Sequence, residues 1–151
     1  MRKTLIVVGS VAAAAVVVYF VIFVSALHHW SNTSAKNKSA AEAEVDAAAH
    51  TVANQLSAAL RSSPQDLADM AAIAPQGVNV TIGAQSAPGS LTLTIEVTKA
   101  YVSPPLGLGN TGHCYKEVLV ANEPGGPAAL TEISCLQMAP LITPGQVISA
   151  P

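Results

Sequence analysis

Three glycines in the second half of the chain have the spacing of a nucleotide-binding loop. Gly107, Gly109 and Gly112 form the pattern G-x-G-x-x-G, and Glu132 follows at about the distance at which an acidic residue binds ribose. Such a site needs a strand before the glycines and a helix after them, because the helix N-terminus binds the pyrophosphate. Here two consecutive prolines precede the glycines and a β-rich segment follows them. We therefore expect a flexible loop between two hairpins, and no cofactor.

The two cysteines could form a disulfide or bind a metal ion. Zinc needs four ligands at close spacing, and only one histidine adjoins a cysteine in this chain. If the two β-rich segments on either side of the loop 122–127 pair symmetrically, Cys114 lies directly opposite Cys135 and Val118 opposite Thr131. Opposed Cα atoms in such a pair are about 4.5–5.5 Å apart, which is within reach of a disulfide. This register predicts a Cys114–Cys135 disulfide.

Histidines and carboxylates offer weaker candidates. Glu42, Asp46, His50 and Asn54 recur every four residues, so they share one helical face that could hold a divalent ion, although such stripes are usually solvated. The histidine pair 28–29 could sense pH at a membrane surface, or simply form a polar flank. The sequence has four histidines and neither G-x-S-x-G nor H-E-x-x-H. We expect no catalytic site and no metal site.

An apolar segment near the N-terminus predicts a transmembrane helix. Residues 5–27 carry no charge, and a helix needs roughly 20 apolar residues to cross a hydrocarbon core of about 30 Å. Trp30 is expected at the membrane interface beyond this segment, and Arg2 and Lys3 at the interface before it. The positive-inside rule then favours a cytoplasmic N-terminus. A cleaved signal peptide is the alternative, because residues 24–26 resemble a small-residue cleavage site.

Both alternatives export the chain beyond residue 27, and the charge of this exported part argues against nucleic acid as a partner. The chain has seven basic and nine acidic residues, and Arg2 and Lys3 precede the apolar segment, which leaves five basic residues against nine acidic ones beyond it. Phosphate backbones bind surfaces rich in lysine and arginine. Asn32, Asn37 and Asn79 stand in N-x-S/T triplets, which matter only in a cell that glycosylates them. The bilayer and another protein, or a second copy of the chain, are the expected partners.

Two further helices are expected after the membrane segment. A short polar stalk, residues 28–38, leads to a capping box that opens a helix from Ser39 to about residue 61. Apolar residues recur through this helix at spacings of three and four, which predicts one apolar stripe. A second capping signature begins at Ser63 and has Pro64 at the first helical position. It predicts a shorter helix over 63–74.

After the second helix the apolar period changes from 3.6 to 2, which predicts strands. Four segments alternate apolar and polar residues and should form two hairpins: 78–82 with 91–97, and 115–121 with 128–136. The predicted fold class is α+β, with a single transmembrane helix, two further helices and a four-stranded antiparallel sheet closed by one disulfide. We expect a cytoplasmic tail over 1–4, an extracytoplasmic domain over 39–140 and a C-terminal tail over 141–151.

This layout resembles a known class of envelope protein. The membrane helix, the alanine-rich helix KSAAEAEVDAAAHTVANQLSAAL and the strands GVNVTI and SLTLTIEVT are similar in order and composition to small membrane-anchored pilin-like proteins, in particular TadE-like minor pilins of actinobacteria. A disulfide closing the C-terminal hairpin is also similar to type IV pilins. The resemblance implies a bacterial, non-enzymatic, single-pass cell-envelope protein whose extracytoplasmic domain mediates assembly or contact with a protein partner. A secreted domain that binds a small ligand is the alternative.

Overall fold

One long helix forms the N-terminal part of the protein. The computed structural model describes residues 2–62, 65–66, 74–105, 107–120, 127–142 and 147–148, with side chains at 15–61, 74–105, 107–120 and 127–142. Helix α1, Arg2–Ser62, contains 61 residues without a break and is about 90 Å long. Residues 28–38, where we expected a stalk, belong to this helix. The prediction of a separate helix beginning at Ser39 is therefore wrong.

The helix continues through the polar segment because nothing in the sequence interrupts it. Glycine and proline are the strongest helix breakers, and neither occurs between Gly9 and Pro64. Once a helix exists, each further residue adds a hydrogen bond without a new nucleation cost. The sheet also supports this part of the helix, since Ser34 Oγ lies 2.7 Å from Ser103 Oγ.

The predicted short helix over 63–74 is also wrong where the structure describes it. Gln65–Asp66 form strand β1, which pairs antiparallel with strand β6, Val147–Ile148. Residues 63–64 and 67–73 lie outside the described part of the chain. A helix this short is marginal in water, whereas pairing with β6 satisfies backbone donors and acceptors directly. Strand β6 itself falls in the segment that we predicted to be a C-terminal tail.

The predicted four-stranded antiparallel sheet is confirmed. Its strands neighbour one another in chain order: β2 (Asn79–Ala87), β3 (Ser90–Ser103), β4 (Gly107–Val120) and β5 (Thr131–Ile133). Strands β3 and β4 are much longer than predicted, so the glycine pattern lies in β4 and the prediction of a loop there is wrong. The period-2 rule missed this stretch because glycine adds no side chain to an alternating pattern.

One face of the sheet packs on the C-terminal half of α1. The apolar helix residues recur at spacings of three and four, as predicted, so they form one stripe. Burying each large aliphatic side chain contributes about 1.5–3 kcal/mol, which holds the helix to the sheet. The buried core consists of Val45, Ala48, Ala49, Val52, Ala53, Leu56 and Leu60 from the helix and Leu91, Leu93, Ile95, Val97, Tyr115 and Leu119 from the sheet.

The other face of the sheet is crossed by residues 134–142, which we call the strap. The strap leaves β5 through a 3-10 turn and reaches the opposite edge, where Leu141 forms a β-bridge with Gly83 of β2. Midway, the amide of Ala139 donates to Thr94 Oγ1 at 3.0 Å. A Cβ atom at Gly83 would lie 2.7 Å from that same hydroxyl oxygen. Glycine at this position therefore lets the strap lie close to the sheet.

Candidate functional site

The predicted disulfide is present. Cys114 and Cys135 are bonded, with an S–S distance of 2.05 Å and a Cα–Cα distance of 5.2 Å. The predicted register is wrong, because Cys114 faces Ile133 and Thr131 does not face Val118. Strand β5 starts only at Thr131, not at residue 128 as predicted, and Cys135 lies in the 3-10 turn beyond the strand. The disulfide therefore joins β4 to the start of the strap.

The disulfide offers no metal-binding thiolate at this position. Among the described side chains, Glu96, Cys114 and Cys135 bring three potential ligand atoms within 4.8 Å of one another. Metal ions bind the thiolate form of cysteine, which a disulfide does not provide. The site acts instead as a covalent staple across a sequence separation of 21 residues. On the chain-entropy estimate, a loop of this size adds roughly 3 kcal/mol to stability.

The three glycines of the nucleotide-loop pattern have structural roles in the β3–β4 hairpin. Gly107 has a φ angle of 98°, a left-handed conformation that glycine adopts without a steric cost, at the end of the hairpin turn. A Cβ atom at Gly109 would collide with the ring of Tyr101, its partner across the ladder. A Cβ atom at Gly112 would lie 2.6 Å from Thr98 Cγ2. The spacing thus reflects the turn and two close cross-strand contacts.

One residue of the polar helix stripe contacts the sheet, and another contacts the segment that precedes β5. Asp46 accepts a hydrogen bond from the Tyr115 hydroxyl, and Asn54 Oδ1 accepts one from the Ala128 amide at 2.7 Å. Burial, followed by the hydrogen bond to Asp46, raises the pKa of Tyr115 far above its ordinary value, so the phenol remains a donor. His50, between them in the stripe, is exposed. The stripe therefore helps to fix the helix on the sheet as well as facing solvent.

A buried carboxylate on the core face was missed by the sequence analysis. Glu117 is 4% exposed, and both of its carboxylate oxygens lie 2.8 Å from the Ser57 hydroxyl of α1. Burial raises the pKa of Glu117, while the Ser57 hydrogen bond and the charge of Arg61 act in the opposite direction. Strand parity could have found it, since Glu117 shares a face with Tyr115 and Leu119. This pair forms a polar contact between α1 and β4 within an otherwise apolar interface.

One histidine–carboxylate pair has the chemistry of a general base. His113 Nδ1 lies 2.6 Å from Glu132 Oε1, across the β4–β5 ladder, and the carboxylate side chain is exposed. A hydrolytic site would need a nucleophile within hydrogen-bond reach of such a histidine. The neighbouring Cys114 is disulfide-bonded and points to the opposite face of the sheet. His113 and Glu132 therefore form a cross-strand ion pair when the imidazole is protonated.

A shallow groove of about 300 Å³ runs between α1 and β3. Its polar lining includes Asn37, Glu44 and Lys99. Lys99 donates to Glu44, and Asn37 donates to the backbone carbonyl of Val102 at 2.8 Å. These three polar side chains are therefore already bonded within the protein, which leaves the groove with few groups to orient a ligand.

Residues 15–27 of α1 have no buried side chain. Here α1 is long and apolar enough to cross a membrane. The large apolar side chains of this uncovered segment, residues 15–27, are exposed by between 38% and 72%: Val16, Val17, Val18, Tyr19, Phe20, Val21, Ile22, Phe23, Val24 and Leu27.

The three predicted interface residues flank the uncharged segment 5–27, of which residues 15–27 are the part with described side chains. Trp30 is half-buried and lies three residues after Leu27, the last residue of this segment. Arg2 and Lys3 belong to the first turn of α1, and their side chains lie outside the described set. The sheet contacts the helix at Ser34, four residues beyond Trp30. An uncovered apolar segment and a covered one thus meet at the tryptophan.

Comparison with known proteins gave no match, whether to protein-family models, to curated proteins or to solved structures. The geometry of the chain is thus the basis for assigning a function. Its most distinctive surface is the uncovered segment of α1, which the sheet does not reach.

Proposed function

We propose that the chain is a single-pass, non-enzymatic cell-envelope protein whose extracytoplasmic helix-and-sheet domain mediates assembly or contact with a protein partner. The observation that carries this proposal is the contrast within α1. Its uncovered segment exposes apolar side chains on all sides, whereas its C-terminal half buries one apolar stripe against the sheet. A soluble domain has no reason to expose such a surface, because contiguous apolar patches of this kind mark contact sites.

A bilayer is the partner that fits the uncovered segment best. Hydrocarbon accepts apolar side chains around the whole circumference of a helix, and the helix satisfies its own backbone hydrogen bonds there. Each exposed valine, isoleucine or phenylalanine removed from water contributes about 1.5–3 kcal/mol. Transfer of all these side chains from water into hydrocarbon therefore strongly favours insertion of the segment into a bilayer.

Orientation follows from charge and from the disulfide. Arg2 and Lys3 precede the apolar segment, which favours a cytoplasmic N-terminus. The Cys114–Cys135 bond is of the kind that persists outside the cytoplasm. Both observations support an extracytoplasmic position for the sheet.

The assembly role rests on the resemblance to TadE-like and other pilin-like proteins. The support for it is the order of an apolar segment and an alanine-rich segment within α1, followed by a sheet with a disulfide. The strap supplies a candidate contact surface, since Leu136 is 97% exposed and Leu141 60% exposed. Their exposed apolar area would be removed from water in a contact with a protein partner.

Membrane insertion is tested on the full-length chain by a carbonate wash and by thiol labelling of intact cells. The protein should stay in the washed pellet. A membrane-impermeant maleimide should label Ser31→Cys and spare Thr4→Cys, because the two positions lie on opposite sides of the membrane. Loss of the protein to the supernatant, or its release into the medium after cleavage near residue 26, would instead favour the secreted ligand-binding alternative.

Assembly is tested separately, by photo-crosslinking in intact cells. A photoreactive residue at Leu136 should give a discrete adduct of higher mass, whereas the same residue at exposed Gln55 on α1 should give less. Monomer alone at both positions would contradict the assembly role and leave the membrane placement untouched.

A further inference from the structure

The β3–β4 hairpin extends beyond the rest of the sheet. Strand β2 pairs with β3 only as far as Thr98, and β5 pairs with β4 only from Cys114 onward. Strands β3 and β4 continue to pair with each other as far as Ser103 and Gly107. Within the described residues, positions 99–111 therefore form a two-stranded ribbon without a third strand on either edge.

The ribbon points toward the uncovered segment of α1. Lys99 pairs with Glu44, and Ser103 contacts Ser34, so β3 advances as the helix numbering falls. Strand β3 thus runs antiparallel to the helix, and the hairpin turn after Ser103 lies closer to Trp30 than any of these contacts.

Simple lengths place this turn at the level of a membrane surface. Ser34 stands about 10 Å along the helix axis from Leu27, at 1.5 Å per residue. The turn lies one or two residues beyond Ser103, which brings it about 3–7 Å closer to Trp30 along the helix axis. The headgroup layer on each side of a bilayer is about 5–8 Å thick. If residues 5–27 span the hydrocarbon, the turn reaches that layer.

The surface of the ribbon suits such a position. No charged residue occurs from 100 to 112. Val102 and Leu108 face each other in the ladder, and their exposed fractions are 56% and 78%. Pro105, at the turn, is also exposed. Exposed ribbon edges in water usually carry charges that prevent aggregation, so an uncharged apolar tip indicates a different neighbour.

We propose that the tip of this ribbon inserts into the headgroup layer beside α1 and forms a second, β-structured contact between the protein and the bilayer. The proposal rests on the transmembrane placement of α1 given above. Lipid is favoured over a protein partner because the tip lies next to the span and has no charge to select a complementary surface. The contact should therefore be insensitive to salt, unlike the binding of a basic patch to anionic lipid.

The test uses the full-length protein in phosphatidylcholine vesicles. An environment-sensitive fluorophore is attached, without reductant, to one introduced cysteine at a time: Leu108→Cys at the tip, Val120→Cys at the far end of β4, and Val21→Cys in the uncovered segment. Nitroxide-labelled lipids quench from the headgroup level or from deep in the acyl chains, and iodide quenches from water. All three positions are exposed in the structure, so labelling does not disturb the core.

Headgroup nitroxide should quench the Leu108 label at least about two-fold more strongly than the Val120 label. The quenching of the Leu108 label should change little between low and high salt. The deep nitroxide should quench the Val21 label most strongly. Equal quenching at Leu108 and Val120 overturns the proposal, as does shielding of Leu108 from both lipid and iodide, which would indicate a protein cover. A Val21 label quenched by iodide alone overturns the transmembrane placement itself, so the two failures are distinguishable.

Discussion

The two halves of helix α1 differ both in composition and in the arrangement of their apolar residues. Between residues 41 and 60, alanine, valine and leucine recur every three or four positions, and polar residues such as Glu44 and His50 occupy the outer face. Between residues 16 and 27 the apolar side chains point in every direction and remain exposed. A stripe needs one partner surface, whereas a fully apolar cylinder needs an apolar solvent. The uncovered half is apolar almost throughout, whereas the covered half alternates apolar and polar positions along one helix.

The sharpest way to break this comparison is to place the same charges in each half. Val17→Asp with Val21→Asp should prevent stable membrane integration, because each aspartate near the bilayer centre costs about 2.5–3.5 kcal/mol. The matched control is Thr51→Asp with Gln55→Asp, two exposed positions with the same spacing in the covered half. The fraction of protein in the carbonate-washed pellet measures the effect. Equal retention of both variants would contradict the proposed span.

A leucine truncation should affect the halves in the reverse order. Leu56 is 0% exposed under the sheet, so Leu56→Ala should lower the free energy of unfolding of the domain by about 2–5 kcal/mol. Leu27→Ala removes the same atoms from a residue that is 44% exposed, and it should leave domain stability nearly unchanged. Pulse proteolysis across a urea series in detergent micelles gives both values. A similar loss for the two variants would show that the sheet also depends on the uncovered half.

Removal of the disulfide should weaken the sheet and not the membrane segment. Cys114→Ser with Cys135→Ser opens a loop with a sequence separation of 21, and we expect a loss of roughly 3 kcal/mol in unfolding free energy. Carbonate resistance should remain as in the parent protein. The same pulse-proteolysis assay measures the loss, and a variant as stable as the parent would mean that the strap is held by its backbone contacts alone.

The smallest expected effect concerns the buried carboxylate. Because the folded-state pKa of Glu117 is raised, its protonated form is favoured by folding; this stabilisation is complete below the unfolded pKa and is lost as pH rises through the folded value. Domain stability should therefore fall as pH rises from about 4.5. Glu117→Gln should flatten this dependence, while Glu42→Gln, at a helix-surface ion pair, should not. Urea midpoints across this pH range give the slopes, and an unchanged slope in Glu117→Gln contradicts the assignment.

The sequence was sufficient to predict the features that depend on local pattern. The Cys114–Cys135 bond was predicted correctly, although from a strand register that is wrong. The apolar segment, the stripe from Val45 to Leu56 and the four antiparallel strands follow from the period of their apolar residues. Each of these signals is repeated over several residues. A single unusual residue therefore does not obscure them.

The errors arose where tertiary contacts override a local signal. Ser39 has the residue type of a helix cap, but a helix already in progress passes through it. Gly109 and Gly112 lie in a strand, where the side chains of Tyr101 and Thr98 fill the space that a Cβ atom would need. No window of sequence reveals these contacts. The functional surfaces are harder still to predict. The ribbon exists only because β2 and β5 are shorter than β3 and β4.

The unbroken backbone through residues 28–38 leaves no joint between the apolar cylinder and the folded domain. From Leu27 to Leu60 the helix measures about 50 Å, at 1.5 Å per residue. Membrane segments tilt to match the thickness of their bilayer, and a change in tilt of about 10° would swing Leu60 sideways by about 9 Å. The sheet and its strap would travel with it. Lipid thickness would thereby set where, and at what angle, this domain meets its neighbours.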